Sequence, residues 1–145
     1  MSGADTWGLE RFVAAQEPVF STALAELRAG RKRTHWMWFV FPQLRGLGRS
    51  PIAAYYGIGS LDEARAYLAH PLLGPRLELC TNAVLRAHER SLHEIFGSPD
   101  DMKFHSAMSL FALAAGEPAT PYRRALDRWW RGELDPETLR LIDRN

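Results

Sequence analysis

The stretch from His35 to Gln43, which reads HWMWFVFPQ, is the densest aromatic and apolar run in the sequence. Burying one large aromatic side chain removes about 150–250 Å² from water. At about 25 cal/mol per Å², this corresponds to an upper bound of about 4–6 kcal/mol. A surface segment would forgo this stabilisation at several positions at once. We therefore expect the segment to be central in the fold, with the polar residues at its two ends held close to the core.

Length and composition favour one globular domain. A chain of 145 residues can bury about two-thirds of its unfolded surface, and we expect a single domain over residues 1–145, with residues 1–6 frayed. The net charge of +1 argues against a general polyanion binder. The single cysteine suits a reducing compartment. No signal peptide is recognisable, and the apolar run at 36–41 is too short to cross a bilayer, so a cytoplasmic protein without membrane attachment is expected.

Residues that start helices recur along the chain, and apolar residues follow them at helical spacing. The predicted starts lie at Pro18, Ser50-Pro51, Ser60, Ser91, Ser98-Pro99, Thr120-Pro121 and Asp135-Pro136. Glu63 and Glu94 each follow a capping serine by three residues, which predicts two capping boxes. Further helices are expected at about 7–16 and 75–88. The pattern predicts an all-α fold of about eight or nine short helices around one core.

The aromatic run itself is compatible with a strand or a helix, because short apolar runs are ambiguous. No other segment resembles a strand that could pair with it. We therefore predict a short buried helix, with Thr34 as its N-cap and Pro42 as its end.

Two arginine-containing segments admit two interpretations each. Arg28, Arg31, Lys32 and Arg33 cluster after a predicted helix, where they complement the helix dipole or, less simply, contact nucleic acid. We do not expect nucleic-acid binding, because the neighbouring tryptophans look too buried to stack on bases. The glycine-containing segment 45–51 precedes a helix and could bind an anion, although a plain loop is the simpler interpretation.

Catalytic and metal-binding patterns are weak. Asp101, His105 and Ser109 have hydrolase residue types, but all three share one helix face, whereas a triad normally converges from separate elements. His88 and His93 are separated by a predicted helix break, and no HExxH or paired-cysteine motif is present. We therefore predict neither a metal nor a cofactor.

Haem would require a histidine inside an apolar pocket. His35 is best placed for this, followed by His70, but a hydrogen-bonded core histidine is the simpler interpretation of either residue.

Three segments together resemble one protein family: 35–48, 63–77 and 95–111. Their most specific features are HWMWFVFPQ followed by Gly46-Leu-Gly48, then YLAHPLLGPRL, and finally IFGSPD with Lys103 and SAMSLF. These resemble the bacterial domain-of-unknown-function family 1810, whose members are often labelled calpastatin-like. The resemblance implies an all-helical, loosely globin-like fold and no established activity. We do not expect the calpain-inhibitor function, because calpastatin is long, repetitive and disordered, whereas this chain is patterned for a core.

The resemblance also implies a set of polar positions, which are His35, Gln43, His70, Arg76, Lys103 and Ser106. Together with the segment 35–43 they suggest a partly enclosed pocket walled by Trp36 and Trp38. Such a mixture suits a small anionic or nucleotide-like ligand, whose ring stacks on tryptophan while its charge meets lysine or arginine. If the protein is an enzyme, His35 is the candidate general acid/base.

The competing hypothesis is a non-enzymatic interaction or structural module without a ligand. In that case, buried His35 and Gln43 would merely satisfy backbone groups. The oligomeric state does not follow from the sequence under either hypothesis.

Overall fold

The fold consists of short helices arranged around one long buried helix. The computed structural model describes residues 5–87 and 89–144. Its ten described helices are α1 (Glu10–Gln16), α2 (Phe20–Arg28), α3 (Met37–Val40), α4 (Pro51–Tyr56), α5 (Leu61–Ala69), α6 (Leu73–Arg86), α7 (Leu92–Phe96), α8 (Asp100–Ala115), α9 (Pro121–Trp130) and α10 (Pro136–Arg144). The described residues form no strand, only an isolated parallel bridge between Leu44 and Ile58. The predicted all-α class is confirmed, with more helices than the eight or nine expected.

Helix α8 is central because its buried side chains are not confined to one stripe. Phe104, Ala107, Met108 and Phe111 face the core, and Leu110 is fully buried as well. A helix that is apolar on most sides must be surrounded by other elements, and α5, α7, α9 and α10 all pack against α8. Helix α6 packs against α2, α5 and α9. One contiguous core results, and none of the described helices is long and apolar enough to span a bilayer.

Most predicted helix starts are correct. Ser50, Ser60 and Thr120 each accept a hydrogen bond from the backbone N–H three residues later. Ser91 and Glu94 form the complete capping box. The box at Ser60 is only half formed, because the Glu63 side chain instead accepts from the Gly59 N–H at 2.9 Å.

Other boundaries differ from the prediction. Helix α1 begins at Glu10 rather than at Trp7, since the Asp5 carboxylate accepts from the N–H groups of Leu9 and Glu10. Residues 1–4 of the segment predicted to fray lie outside the described residues. Pro99 rather than Ser98 occupies the N-cap of α8, without a side-chain cap. Helix α6 spans Leu73–Arg86 rather than 75–88, and residue 88 lies outside the described residues.

The aromatic segment is central, as predicted. Trp36 and Phe41 are each 1% exposed, and both contribute to the core. Trp38 is half-buried, whereas His35 is exposed. The expectation that His35 lies near the core is therefore wrong. Helix α3 begins only at Met37, and the His35 imidazole is exposed although the neighbouring Trp36 indole is buried.

Glu26 on α2 holds the backbone that leads into this segment. The Glu26 Oε1 atom accepts hydrogen bonds from the N–H groups of Arg33 (2.9 Å) and Thr34 (3.1 Å) and from the indole Nε1 of Trp36 (2.8 Å). The Glu26 Oε2 atom accepts from the Thr34 hydroxyl at 2.7 Å. The prediction that Thr34 is the N-cap of α3 is therefore wrong. Its N–H and hydroxyl groups instead donate to the Glu26 carboxylate. Burial raises the pKa of Glu26, but the four hydrogen bonds to its charged form outweigh burial and lower the pKa to about 2.

We expect Glu26→Gln to make stability less dependent on acid pH. The ordinary pKa is 4.5, so the charged carboxylate contributes fully above about pH 5, and its contribution of about 3 kcal/mol is lost as the pH falls towards about 2. The free energy of unfolding, measured with urea at several pH values, should therefore differ most between wild type and variant near neutrality and converge in acid. Glu117→Gln, at an exposed carboxylate, is the control. A wild-type-to-variant difference that stays constant with pH would contradict this account.

Helices α5 and α6 approach each other closely at Gly74. A Cβ atom at this position would lie only 2.2 Å from the carbonyl oxygen of Leu68. That oxygen belongs to the backbone and cannot be moved by a side-chain rotation. Glycine is therefore required here for the contact between the two helices.

We expect Gly74→Ala to destabilise the protein, although alanine normally stabilises a helix by about 1 kcal/mol relative to glycine. Overpacking against backbone should cost about 1–3 kcal/mol net, measurable by chemical denaturation. Gly116→Ala is the comparison, because a Cβ there meets nothing within 4 Å and only the positive φ of +69° opposes it. Stability of the Gly74 variant equal to or above wild type would show that the helices separate without cost.

Candidate functional site

The two lysines of the chain, Lys32 and Lys103, meet at one carboxylate. The Lys32 Nζ atom lies 2.9 Å from Asp100 Oδ2, and the Lys103 Nζ atom lies 3.2 Å from Asp100 Oδ1. The side chain of Lys32 is 8% exposed, that of Lys103 is 20% exposed, and that of Asp100 is 18% exposed. Lys32 comes from the connection after α2, and Asp100 and Lys103 come from the first turn of α8. The arrangement places two cations against one anion in a largely buried position.

Each lysine also lies over a tryptophan of the aromatic segment. The Lys103 Nζ atom is 3.8 Å from the ring centroid of Trp38, and the Lys32 Nζ atom is 5.2 Å from that of Trp36. Ammonium groups at these distances are attracted by the negative face of the ring. The loop at Gly48 also approaches Trp38, because an added Cβ at Gly48 would lie 3.5 Å from the ring. We call Lys32, Trp36, Trp38, Asp100 and Lys103 the lysine-pair site.

The structure brings together only part of the predicted site. Trp36, Trp38 and Lys103 belong to the lysine-pair site, whereas His35 is exposed and takes part in none of its hydrogen bonds or ion pairs. Gln43 is half-buried beside the isolated bridge, where its backbone oxygen accepts from the Ile58 N–H at 2.9 Å. The residues expected to line a single pocket therefore lie in several separate places.

His70 has a local structural role at the end of α5. Its Nδ1 atom accepts hydrogen bonds from the N–H groups of Leu72 and Leu73, at 3.1 and 3.2 Å. These contacts close the turn between α5 and α6. The ring nitrogen that they occupy is thus used in holding the backbone.

Arg76 belongs to a second polar cluster, with Gln16 and Tyr67. Arg76 Nη1 donates to Gln16 Oε1 at 3.3 Å, and Gln16 Nε2 donates to the Tyr67 hydroxyl at 3.1 Å and to the Phe39 carbonyl at 2.6 Å. Arg76 Nη2 also donates to Glu17 Oε2 at 3.2 Å. Burial raises the pKa of Tyr67 well above its ordinary value, so the hydroxyl stays protonated. This cluster connects α1, α5 and α6 to the aromatic segment.

Ser106 and Ser109 on α8 anchor the start of α10 through Asp135. Ser106 Oγ donates to Asp135 Oδ2 at 3.1 Å, and the Asp135 N–H donates to Ser109 Oγ at 2.8 Å. The same carboxylate oxygen accepts from the Thr138 N–H and hydroxyl, at 3.1 and 2.6 Å. Ser106 therefore faces α10 rather than the lysine-pair site, although it is three residues from Lys103.

Two residues of the Asp101, His105 and Ser109 trio make other contacts in the structure. Ser109 is fully buried and its hydroxyl donates to the backbone oxygen of His105 at 2.9 Å. The His105 ring stacks on Trp130, with centroids 3.9 Å apart and planes at 8°, and its Nε2 lies 2.9 Å from the Glu133 carbonyl oxygen. No hydrogen bond links the His105 ring to the Ser109 hydroxyl, so the pair cannot act as base and nucleophile in this arrangement.

Arg45, at the start of the glycine-containing segment 45–51, donates hydrogen bonds to backbone carbonyl groups. Arg45 donates to the oxygens of Ala54 and Gly57, at 3.1 and 2.9 Å, at the C-terminal end of α4. Arg11 donates to the same Gly57 oxygen at 3.0 Å and pairs with Glu63 at 2.7 Å. These contacts favour a structural loop over an anion site. Across residues 5–87 and 89–144 no group of three metal-ligating side chains is found, and His88 lies outside those ranges.

Lys32 and Asp100 were missed by the interpretation of the sequence. Lys32 lies among arginines, where the sequence predicts a cation that complements the helix dipole, and Asp100 directly follows the predicted helix start at Ser98-Pro99. The signal was the residue type: among 18 basic residues, lysine occurs only at positions 32 and 103. Lysine concentrates its charge in a compact group, whereas arginine spreads it over a planar fork.

Comparison with known proteins places the chain in a family. The profile of the family described as protein of unknown function (DUF1810) matches residues 6–142. The crystal structure of the conserved hypothetical protein Rv1873 from Mycobacterium tuberculosis has 54% sequence identity and a TM-score of 0.92, covering 96% of this chain and 99% of that chain. No curated protein matches the chain. The chain therefore belongs to the DUF1810 family of proteins of unknown function, as the resemblance of its aromatic segment predicted.

Proposed function

We propose that the protein binds a small anionic, nucleotide-like ligand at the lysine-pair site. One observation carries the proposal: two ammonium groups share a single carboxylate, at 2.9 and 3.2 Å. One positive charge is therefore left without a partner within the site. In a partly dehydrated position, such a charge favours an anion more strongly than it would in water.

The two lysines have different accessibility and therefore different roles. The Lys103 side chain is 20% exposed and can meet a ligand, whereas that of Lys32, at 8%, is nearly enclosed. Lys32 and Asp100 then position Lys103 rather than contacting the ligand. The half-buried Trp38 lies directly beneath the Lys103 ammonium group. Its accessible part offers an aromatic surface for the base of a nucleotide.

Binding without catalysis is the simpler form of this function. His35, the candidate general acid/base, is exposed and separate from the hydrogen bonds of the lysine-pair site. A general base must lie within hydrogen-bonding reach of the proton that it removes. The remaining candidates, His70, Arg76 and Ser106, are occupied by contacts within the protein.

Those internal contacts favour the second candidate function, a non-enzymatic interaction or structural module without a ligand. In that case, the lysine-pair site only ties α8 to the aromatic segment. The two candidates differ in whether an anion stabilises the folded protein.

A cytoplasmic location accords with the state of the single cysteine. Cys80 is fully buried on α6 as a free thiol, and burial raises its pKa to about 12. A thiol that stays protonated is a poor nucleophile and resists disulfide exchange. We infer that the protein functions in a reducing compartment.

We expect ligand-dependent thermal stabilisation that is lost in Lys103→Met. Methionine keeps an apolar chain over Trp38 but removes the charge. A nucleoside monophosphate or inorganic phosphate at about 100 times its dissociation constant should add about 2.7 kcal/mol, or roughly 5–10 °C in melting temperature for a chain of this size. Differential scanning fluorimetry with each probe measures the shift for wild type and variant.

Arg65→Gln is the matched control, since it removes one positive charge from an exposed ion pair with Asp62. Its ligand-dependent shift should equal that of wild type. A shift that persists in Lys103→Met would place the anion elsewhere. If none of the anionic probes stabilises wild type, the non-enzymatic module is the better account.

A further inference from the structure

We infer that a second surface, made of arginines on and directly after α2, α6 and α9, binds the phosphodiester backbone of a nucleic acid. The sequence argues against nucleic-acid binding because the tryptophans are too buried to stack on bases, but contacts to phosphates need no such stacking. Segments 28–33, 86–90 and 124–131 contain eight arginines, which are Arg28, Arg31, Arg33, Arg86, Arg90, Arg124, Arg128 and Arg131. We call these residues the arginine face. The same segments contain two carboxylates, those of Glu89 and Asp127, while the whole chain has a net charge of only +1. These segments therefore carry a net excess of positive charge that the rest of the chain offsets.

The ends of α2 and α6 are brought together at Gly30. Gly30 has a φ of +77°, and an added Cβ atom there would lie 2.8 Å from the Cδ and Nε atoms of Arg90. The Arg90 side chain is therefore laid across the turn that follows α2. Arg28, Arg86 and Arg90 line a common groove of about 320 Å³, together with Glu89. Three of the four charged residues that line the groove are therefore arginines.

Helix α9 extends this surface alongside α6. Arg128 Nη1 donates to the Leu85 carbonyl oxygen, and Arg124 Nη2 lies 3.5 Å from Asn82 Oδ1. Arg124 and Arg128 are four residues apart, so they share one face of the helix. Arg131 follows α9 as its C-cap, with a left-handed backbone at a φ of +52°. At about 1.5 Å per residue the two helical arginines are roughly 6 Å apart along the axis, which exceeds the spacing of about 3.4 Å between successive phosphates of one strand.

Several of these arginines have no acidic partner to occupy them. Within the described ranges, no salt bridge involves the side chains of Arg28, Arg31, Arg33 or Arg90, and all four residues are exposed. Lys32, between two of them in sequence, is by contrast turned inward to Asp100. Guanidinium groups match phosphate oxygens in a bidentate manner. The exposed guanidinium groups are therefore available to the phosphates of a nucleic acid.

A nucleic acid fits this surface better than a membrane does. Binding in a membrane interface needs large apolar side chains beside the basic ones. The exposed large apolar residues of the described chain are Trp7, Ile52, Tyr55, Leu79, Met102 and Leu139. None of them lies in the three segments of the arginine face.

The test is fluorescence anisotropy with short fluorescein-labelled single-stranded and double-stranded DNA, titrated between about 50 and 200 mM salt. Wild type should bind with an affinity that falls steeply as salt rises. The triple variant Arg28→Gln, Arg31→Gln, Arg90→Gln should bind at least about tenfold more weakly at the lowest salt. Its slope of log affinity against log salt should be shallower by about 2 to 3, because each lost phosphate contact contributes about 0.7–0.9.

The matched control is Arg49→Gln, Arg65→Gln, Arg140→Gln, which removes the same charge outside the arginine face. It should keep the wild-type slope, and circular dichroism and thermal melting check that both triple variants fold. Absence of DNA binding by wild type at the lowest salt, or an equal loss in both variants, would overturn the inference. The inference would also be overturned if wild type bound phosphatidylserine vesicles more tightly than DNA. The same holds if polyglutamate competed with the labelled DNA as well as unlabelled DNA does. The triple variant leaves Lys32, Asp100 and Lys103 intact, so this result is independent of ligand binding at the lysine-pair site.

Discussion

The placement of the aromatic segment depends on the buried carboxylate of Glu26. Its two oxygens bind two backbone N–H groups, one hydroxyl and one indole N–H, all contributed by residues 33–36. A charged group is costly to bury unless it is fully hydrogen-bonded, and here its partners all come from the stretch that must turn into the core. The carboxylate thereby fixes the backbone of the polar connection that precedes Trp36. Through Trp36 it also sets the position of Lys32, whose ammonium group lies over that ring.

Patterns that act within a few residues made much of the helical architecture predictable from the sequence. Ser50, Ser60, Ser91 and Thr120 cap their helices because a hydroxyl needs only the N–H three residues later. The helical spacing of apolar residues likewise predicted α8, although not that its buried side chains extend beyond one stripe. Thr34 was misassigned because its partner, Glu26, lies eight residues away on another element. Long-range hydrogen bonds of this kind have no local signature.

The candidate site was less predictable than the fold for the same reason. Sequence proximity to Trp36 suggested that His35 is buried, yet both residues precede α3, and adjacent side chains outside a helix can point in opposite directions. Arg76 and Ser106 are polar residues at the edge of apolar stripes, which does not reveal whether they face a ligand or another helix. In the structure Arg76 meets Gln16, and Ser106 meets Asp135. Lys103 does lie over Trp38, another member of the residue set that the sequence grouped together.

The attachment of α10 through the Asp135 carboxylate has a consequence for local dynamics. Ser106, Ser109 and Thr138 all bind to Asp135, so the side-chain hydrogen bonds that join α8 to α10 lie at the start of α10. The rest of α10 is held by partly buried side chains such as Leu141 and Ile142. Cooperative units with few buried contacts open before the global transition. The carboxy-terminal helix should therefore detach as one segment in subglobal unfolding, with its amides sharing one level of protection below that of the core.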